Sequence, residues 1–263
     1  MSRPGFVTSA RLGSWHGCRR RFASYATSNS MDDVLRRLCD AKLLLCVRRP
    51  DVSLENLHKA ILAAISGGVK AIEVTMDTPN ATTIVERLRA ETGVLVGTGT
   101  VMSENQVNMC EQARAHFVMS PITDTGLIKY CNNKSMLMIP GAMTPTEVHR
   151  AYHQAGARAV KVFPFNACGG TKFVAAIQGP FPDIPLLPAS GVDFESFKEL
   201  VQQSNVLAIG VSKQILSLEA LRDSDWGSIE REASLWVKQA NSAGTPRSQL
   251  PDDQNRSLEN PAV

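Results

Sequence analysis

One short stretch constrains the fold of this chain strongly, because it places a lysine inside an otherwise apolar strand. Residues 157–166 read Ala-Arg-Ala-Val-Lys-Val-Phe-Pro-Phe-Asn, so that Lys161 lies at the centre of an apolar run that ends at Pro164. Strands that are apolar on both faces are typical of a parallel sheet covered by helices. The stretch therefore predicts a buried strand of an α/β protein, with one lysine inside it.

Lys161 has two interpretations at this point. Lysine is seldom buried without a reason, and burial disfavours the charged form of an amine. A neutral amine that is held rigidly attacks carbonyl groups, which is the first step of Schiff-base catalysis. The alternative is that the side chain extends from the end of the strand to solvent.

The remainder of the chain alternates between strand-like and helix-like patterns from Met31 onward. This alternation predicts a single-domain α/β fold, and eight strands with eight helices favour a (β/α)₈ TIM barrel. A doubly wound open sheet gives the same alternation and is the alternative. The predicted strands are 43–47, 71–75, 94–98, 117–120, 136–139, 159–163, 185–187 and 206–209. The predicted helices are 53–65, 79–90, 104–113, 123–131, 144–155, 170–177, 194–203 and 218–238.

The two ends of the chain differ in composition from the part between them. Residues 1–30 contain five arginines and no acidic residue, which is typical of an organelle transit peptide. We therefore expect the protein in an organelle matrix, mitochondrial or plastid (chloroplast stroma); a disordered leader is the alternative. Residues 241–263 are rich in polar residues and predict a disordered tail. The domain is therefore expected to span residues 31–240.

Charge and cysteine usage argue against several classes of protein. Of 28 basic residues, five lie in the leader, so the rest of the chain has 23 against 25 acidic residues. This mildly acidic balance makes a nucleic-acid partner unexpected. No apolar run is long enough to span a membrane. The six cysteines are scattered without a C-x-x-C pair, which argues against a disulfide framework or a zinc site.

A second charged residue lies in a predicted strand. Glu73 occupies the run Ala71-Ile72-Glu73-Val74, where an acid needs a partner or a function. In a TIM barrel, functional side chains lie at the C-terminal ends of the strands. Lys161 and Glu73 could both point into that mouth, and Schiff-base chemistry needs an amine together with an acid/base. A structural ion pair is the alternative.

Small residues follow the last two predicted strands. Ala189-Ser190-Gly191 follows the seventh strand, and Gly210-Val211-Ser212 follows the eighth. Backbone N–H groups at these positions would be open to a phosphate, as they often are in barrel loops.

Several of these segments together resemble one enzyme family. The chain from about Met31 to Ala240 is similar to the class I aldolases that act on 2-keto-3-deoxy-6-phosphogluconate (KDPG) and 4-hydroxy-2-oxoglutarate (KHG). The motifs that carry the resemblance are Ile72-Glu73-Val74-Thr75, Val96-Gly97-Thr98-Gly99-Thr100-Val101, Met119-Ser120-Pro121, Ile139-Pro140-Gly141-Ala142-Met143-Thr144-Pro145-Thr146-Glu147, Val160-Lys161-Val162-Phe163-Pro164 and Gly179-Pro180-Phe181-Pro182.

The resemblance implies a homotrimeric barrel without metal or cofactor. It implies that Lys161 forms the Schiff base with pyruvate and that Glu73 is the general acid/base, acting through a water. It places the keto-acid site at Thr100, Pro121 and Phe163, and the substrate phosphate at Gly191, Val192 and Ser212.

Two positions depart from the family pattern. Many members carry an arginine four residues after the glutamate, where this chain has Asp77. Other members supply the carboxylate-binding arginine from the end of the first strand, which matches Arg48. The family's Thr-Gly-Gly after the seventh strand is Ala189-Ser190-Gly191 here.

The predicted function is therefore a lyase that cleaves KDPG into pyruvate and glyceraldehyde 3-phosphate in the Entner-Doudoroff pathway. Cleavage of KHG to pyruvate and glyoxylate is the first alternative. A barrel that binds a keto acid or a phosphorylated ligand without turnover is the second. His149 and His153, four residues apart on a predicted helix, lack an evident third metal ligand. Lys172 is expected in solvent, and Cys168 is expected to be a bystander.

Overall fold

The structure is a computed structural model that describes residues 30–49 and 51–242. The predicted leader and tail lie almost entirely outside this range. In the described part, no helix combines the length and the apolar character needed to cross a membrane. The five cysteines found there are free thiols.

Parallel strands form the centre of the molecule. The described strands are β1 (Leu43–Val47), β2 (Ala71–Thr75), β3 (Leu95–Gly99), β4 (Phe117–Met119), β5 (Leu137–Ile139), β6 (Gly141–Ala142), β7 (Val160–Val162), β8 (Leu186–Pro188) and β9 (Ile209–Val211). One ladder has the order β5-β4-β3-β2-β1-β9, and the other has the order β6-β7-β8. This sequential order differs from that of a doubly wound sheet, in which the order of the strands reverses at a switch point.

The two sets of strands together form one curled parallel sheet. Backbone pairing between neighbouring strands does not continue all the way around it. Only Pro140 separates β5 from β6, and the isolated bridges Leu186↔Val206 and Ala189↔Gly210 connect the region of β8 to that of β9. β9 in turn pairs with β1, with Leu44 opposite Gly210. The predicted TIM barrel is therefore present as a curled, TIM-barrel-like sheet in which the pairing is interrupted at these two points.

Helices alternate with the strands, and many begin at a side chain that caps their N-terminus. They are α1 (Met31–Ala41), α2 (Leu54–Ser66), α3 (Ala81–Glu91), α4 (Glu104–Gln112), α5 (Thr125–Asn133), α6 (Pro145–His149), α7 (Gly170–Gln178), α8 (Phe194–Leu200), α9 (Leu218–Arg222) and α10 (Trp226–Ser242). Thr144 and Glu147 form the capping box expected from the sequence before α6. A π-helical turn, Arg150–Gln154, continues α6.

The predicted helix at 218–238 is two helices in the structure. Ser224 has a positive φ of 54°, which interrupts the helical backbone between α9 and α10. The Asp225 side chain then accepts a hydrogen bond from the Ser228 N–H and caps the new helix. α10 continues to Ser242, two residues into the segment assigned to the tail.

Two apolar clusters lie on the two faces of the sheet. Leu43, Leu45 and Val47 of β1 pack toward the surrounding helices, whereas Leu44 packs toward the concave interior. Val34, Leu35 and Leu38 of α1 belong to the interior cluster. α1 therefore packs against the interior cluster, while alternate strand residues farther along, such as Glu73, are available for a polar site.

Candidate active site

Lys161 lies in the middle of β7, between two strands that fix its direction. It is in register with Gly141 of β6 and Leu187 of β8, and its own N–H donates to the Pro140 carbonyl at 2.8 Å. The residue is 6% exposed. Its Nζ atom lies 5.0 Å from the centroid of the Phe163 ring. The buried strand predicted from the sequence therefore holds its lysine inside, and the side chain is almost completely buried.

Glu73 of β2 is the partner of this amine. Lys161 Nζ lies 3.4 Å from Glu73 Oε1, and Glu73 is 1% exposed. Gly99 of β3 provides the space for the carboxylate, since a Cβ at Gly99 would lie 1.8 Å from Glu73 Oε1. The structure therefore brings together the two charged residues that the sequence placed on separate strands, and it shows why a glycine ends β3.

Cys46 is a neighbour of this pair that the sequence analysis did not single out. It lies opposite Glu73 in the β1–β2 register and packs against the interior cluster. Burial, followed by the adjacent Glu73 carboxylate, raises the pKa of the Cys46 thiol well above its ordinary value. The sequence did contain a signal for Cys46, because side chains alternate along β1 and residues 44, 46 and 48 therefore share one face of the strand.

Arg48 follows β1 at the rim of the same interior. Its Nη2 donates to Thr100 Oγ1 at 2.7 Å, and its Nε lies 3.2 Å from Asp77 Oδ2. Thr100 has a positive φ of 59°, immediately after β3. The departure from the family pattern at Asp77 therefore has a structural counterpart, since Asp77 and Thr100 together hold the guanidinium that the sequence assigned to the carboxylate.

Arg49 points elsewhere and is buried. Its Nη1 donates to the Arg48 carbonyl at 2.8 Å, and its Nη2 donates to the Leu216 carbonyl. The Nε atom is buried without a hydrogen-bond partner in the described part of the chain, and burial lowers the pKa of the guanidinium. Arg49 therefore joins the end of β1 to the segment after β9.

Pro121 and Phe163 are both partly buried near the lysine strand. The Pro121 carbonyl lies so close to Gly141 that a Cβ there would be 2.3 Å from its oxygen, and Gly141 is the register partner of Lys161. Phe163 places its ring beside the lysine amine. The peptide bond between Phe163 and Pro164 is cis.

The turn after β8 has an unusual backbone. Ser190 and Gly191 have φ values of 77° and 80°. Asn166, which follows β7, packs so closely on Gly191 that a Cβ there would be 2.4 Å from its Cγ. The Asn166 N–H also donates to the Ser190 carbonyl at 3.2 Å. The sequence analysis missed Asn166, although its strand-end position was a signal of the same kind as that of Ser190.

Val192 and Ser212 are connected by a residue that the sequence analysis also missed. Gln214 Nε2 donates to the Val192 carbonyl at 2.6 Å, and Gln214 Oε1 accepts from the Ser212 N–H at 3.3 Å. The Val192 side chain is buried in the outer core, so Val192 can offer a ligand only backbone atoms. Gln214 thus holds the two predicted phosphate segments at a set spacing.

The remaining candidates lie outside this cluster. His149 and His153 are exposed, with ring centroids 5.0 Å apart, and both stack near Phe181. Within residues 30–49 and 51–242, no group of three or more metal-binding side chains is present. Lys172 is exposed on α7, and Cys168 is partly buried before it. The absence of a metal requirement stays a prediction.

The arrangement has the parts that imine chemistry needs. A buried amine lies beside a buried carboxylate, which can transfer protons. An arginine fork at the rim can bind a carboxylate. Exposed backbone turns follow β8 and β9. These features lie together at the end of the strands, where barrels of this kind carry their active sites.

Comparison with known proteins assigns the chain to a family. Residues 35–232 match the family described as KDPG and KHG aldolase. The 2-dehydro-3-deoxy-phosphogluconate aldolase of Treponema pallidum is 34% identical over 167 residues, which cover 62% of this chain and 79% of that protein. The KHG/KDPG aldolase of Escherichia coli is 30% identical over 195 residues, which cover 73% of this chain and 91% of that protein.

A solved structure agrees with these sequence matches. The KDPG aldolase of Legionella pneumophila, with pyruvate captured as a covalent carbinolamine, superposes with a TM-score of 0.68 at 26% identity. The match covers 75% of this chain and 95% of that one. The chain therefore belongs to the KDPG and KHG aldolase family, and the predictions of the family and of an aldolase are confirmed.

The same comparisons contradict the predicted location. The relatives are bacterial proteins, from Treponema pallidum and Escherichia coli among others. The prediction of an organelle matrix, mitochondrial or plastid, is therefore wrong. It rested on the composition of residues 1–30, of which only Ser30 lies in the described range.

Proposed function

We propose that this protein is a class I aldolase that cleaves KDPG to pyruvate and glyceraldehyde 3-phosphate through an imine on Lys161. The observation that carries the proposal is the buried contact of 3.4 Å between Lys161 Nζ and Glu73 Oε1. Family membership and the carbinolamine in the Legionella relative support the same chemistry. Among the residues that the structure describes, no contact favours KHG over KDPG.

The reaction follows from the positions of these two groups. Lys161 attacks the C2 carbonyl of the substrate, and loss of water gives the imine. Glu73 then takes the proton of the C4 hydroxyl, and the C3–C4 bond breaks. The electron pair of that bond moves toward the imine nitrogen, which forms an enamine. The aldehyde leaves. Glu73 returns a proton to C3, and hydrolysis releases pyruvate and regenerates the amine.

Arg48 supplies the cation for the pyruvyl carboxylate. Asp77 and Thr100 engage its Nε and Nη2, which fixes the plane of the fork while leaving other N–H donors for the substrate. Thr100, Pro121 and Phe163 line the keto-acid site beside Lys161. The contact between Phe163 and the amine supports this placement.

The turns after β8 and β9 hold the substrate phosphate. Gly191 and Val192 contribute backbone N–H groups, and Ser212 contributes its hydroxyl, because its N–H donates to Gln214. The positive φ values of Ser190 and Gly191 turn the chain at this point. Gln214, which bridges Val192 and Ser212, keeps the two segments together. The hydroxyl of Ser190 takes the place of the family's threonine.

The assembly is proposed to be a homotrimer of single-domain barrels that comprise residues 31–240. Closure of the sheet across Pro140 and the β8–β9 bridges is supported by the pairing of β9 with β1. Three exposed apolar side chains after neighbouring strands, Met102, Ile122 and Met143, support an interface between copies. Light scattering of the purified chain should give three times the monomer mass of 28.6 kDa.

Borohydride trapping tests the nucleophile. Wild-type protein incubated with pyruvate and borohydride should carry a reduced adduct on Lys161, located by peptide mass spectrometry. Lys161→Ala should carry none, whereas Lys172→Ala, which alters an exposed lysine on α7, should be labelled like wild type. An adduct on another lysine, or none in the wild type, would overturn the proposed mechanism.

Two assays test the substrate and the absence of a metal requirement. A coupled assay should show faster release of pyruvate from KDPG than from KHG, and the reverse order would assign the chain to the KHG reaction. Binding of either compound without release of pyruvate would favour a barrel without turnover.

Activity should survive exhaustive EDTA treatment. A loss of activity that added zinc or magnesium restores would contradict the imine mechanism.

A further inference from the structure

We propose that Cys46 is a positioning residue that orients the Glu73 carboxylate by donating its thiol hydrogen to it. This inference rests on the proposed function, because Glu73 is the proton-transfer group of that reaction. It assigns a task to a residue that neither the family motifs nor the mechanism above includes.

The strand register places the thiol where this task requires it. Cys46 is the β1 residue paired with Glu73 of β2, and it packs toward the same concave interior. On the other side of β1, a Cβ at Gly210 of β9 would lie 3.1 Å from Cys46 Sγ and 2.8 Å from the Ala189 Cβ. The glycine therefore leaves room for the thiol between β9 and β2.

The chemistry of the surroundings keeps the thiol protonated and gives its hydrogen a charged acceptor. Glu73, Lys161 and Arg48 are the charged groups close enough to act on the thiol, and burial and the Glu73 carboxylate raise the pKa of Cys46. The hydrogen bond that the thiol makes to the Leu44 carbonyl is long at 3.9 Å, so it does not commit the thiol hydrogen strongly. A protonated thiol is a weak donor, but a carboxylate is a strong acceptor.

The consequence concerns proton transfer more than imine formation. Glu73 Oε1 faces the lysine amine, and the carboxylate lies in the space that Gly99 leaves on the side of β3. A donor from β1 restricts the remaining rotation of the carboxylate, so that it meets the hydrogen on C3 or on the C4 hydroxyl in one orientation. Proton transfer by a positioned acid/base becomes slower when that orientation is lost.

Three variants separate this role from packing. Cys46→Val keeps a similar side-chain volume but has no hydrogen-bond donor. Cys46→Ala removes both the volume and the donor, and Cys46→Ser keeps a donor in a smaller side chain. Cys131→Val is the matched control, because Cys131 is fully buried on α5 in the outer core, away from the site. Thermal unfolding of each variant checks that the fold is retained.

The measurement uses pyruvate alone and follows two steps separately. Exchange of the C3 hydrogens of pyruvate in D₂O reports proton transfer, and borohydride trapping reports the imine. We expect Cys46→Val and Cys46→Ala to slow exchange about five- to tenfold relative to trapping, with exchange largely restored in Cys46→Ser and unchanged in Cys131→Val.

Each other outcome is decisive. Equal losses of trapping and exchange in Cys46→Val, or a Cys46→Ser variant as slow as Cys46→Ala, would reduce Cys46 to a packing residue. Unchanged exchange in all Cys46 variants would also overturn the inference. A wild-type protein that neither traps pyruvate nor exchanges its hydrogens would instead refute the proposed function.

Discussion

Gly99 of β3 and Glu73 of β2 are matched in shape: the carboxylate occupies the space that a side chain at residue 99 would fill. Thr75, two residues beyond Glu73, is the register partner of Gly99, so the glycine lies diagonally across from the glutamate. A Cβ at Gly99 would lie 1.8 Å from Oε1 and 2.5 Å from Cδ of Glu73. The orientation of the proposed acid/base therefore depends on a neighbour without a side chain.

Gly99→Ala should displace the Glu73 carboxylate from Lys161. Because a positioned acid/base contributes at least about 10²-fold to the rate, we expect kcat to fall by about that factor in steady-state assays with KDPG. Gly93→Ala is the control, since a Cβ at Gly93 has no atom within 4 Å. A Gly99→Ala enzyme with wild-type kcat would contradict the role of Glu73.

Arg48→Ala should weaken binding of the pyruvyl carboxylate. Loss of a charge-assisted pair costs roughly 3 kcal/mol, so kcat/KM should fall by about 10²-fold with a rise in KM. Arg87→Ala, which removes an exposed arginine on α3 paired with Glu55, should leave the kinetics unchanged. Wild-type kinetics in Arg48→Ala would show that the carboxylate is bound elsewhere.

Asp77→Arg tests the alternative arrangement that other family members use. Alone it removes the carboxylate that holds Arg48 at 3.2 Å and adds a second cation nearby. In the double variant with Arg48→Ala, the new arginine is free to take over the substrate carboxylate. We expect the double variant to recover most of the kcat/KM that Arg48→Ala loses, and no recovery would mean that this position cannot reach the substrate.

Arg49→Ala should change stability more than binding. It removes the donors to the Arg48 and Leu216 carbonyls, and loss of the buried hydrogen bond to Leu216 costs about 2 kcal/mol. The denaturant midpoint should fall, with the KM for KDPG within about twofold of wild type. A large rise in KM at unchanged stability would place Arg49 in the substrate site.

His116 should make the fold sensitive to acid. Burial, followed by the neighbouring Arg89 and Arg37 guanidinium groups, lowers the pKa of His116 from 6.5 to about 4, and Asp33 opposes this shift weakly. The folded state therefore favours the neutral ring, and its contribution is present above pH 6.5 and lost as the pH falls toward 4.

The matching experiment compares unfolding curves across that pH range. His116→Gln should lose less stability between pH 6.5 and pH 4 than wild type does. His149→Gln, an exposed substitution on α6, should keep the wild-type slope. Identical slopes in His116→Gln and wild type would show that His116 does not control this loss.

Local patterns predicted most of the secondary structure. The bounds of β1 and β2 agree with the predicted strands, because continuous apolar runs between turn residues define buried strands. The last predicted strand, at 206–209, is displaced to Ile209–Val211 in the structure. The apolar run there includes residues that pack in the core without joining the ladder, and a pattern of hydropathy cannot distinguish the two.

The sequence by itself determined the alternation of strands and helices, the presence of two charged residues in buried strands, and the family. The tertiary structure decided that Lys161 and Glu73, separated by 88 positions, lie 3.4 Å apart. It also decided that Asp77 and Thr100 hold Arg48, and that Cys46 faces Glu73. The physical reason is that hydropathy is a property of each residue, whereas contacts across strands depend on register and curvature, which arise only when the whole sheet packs.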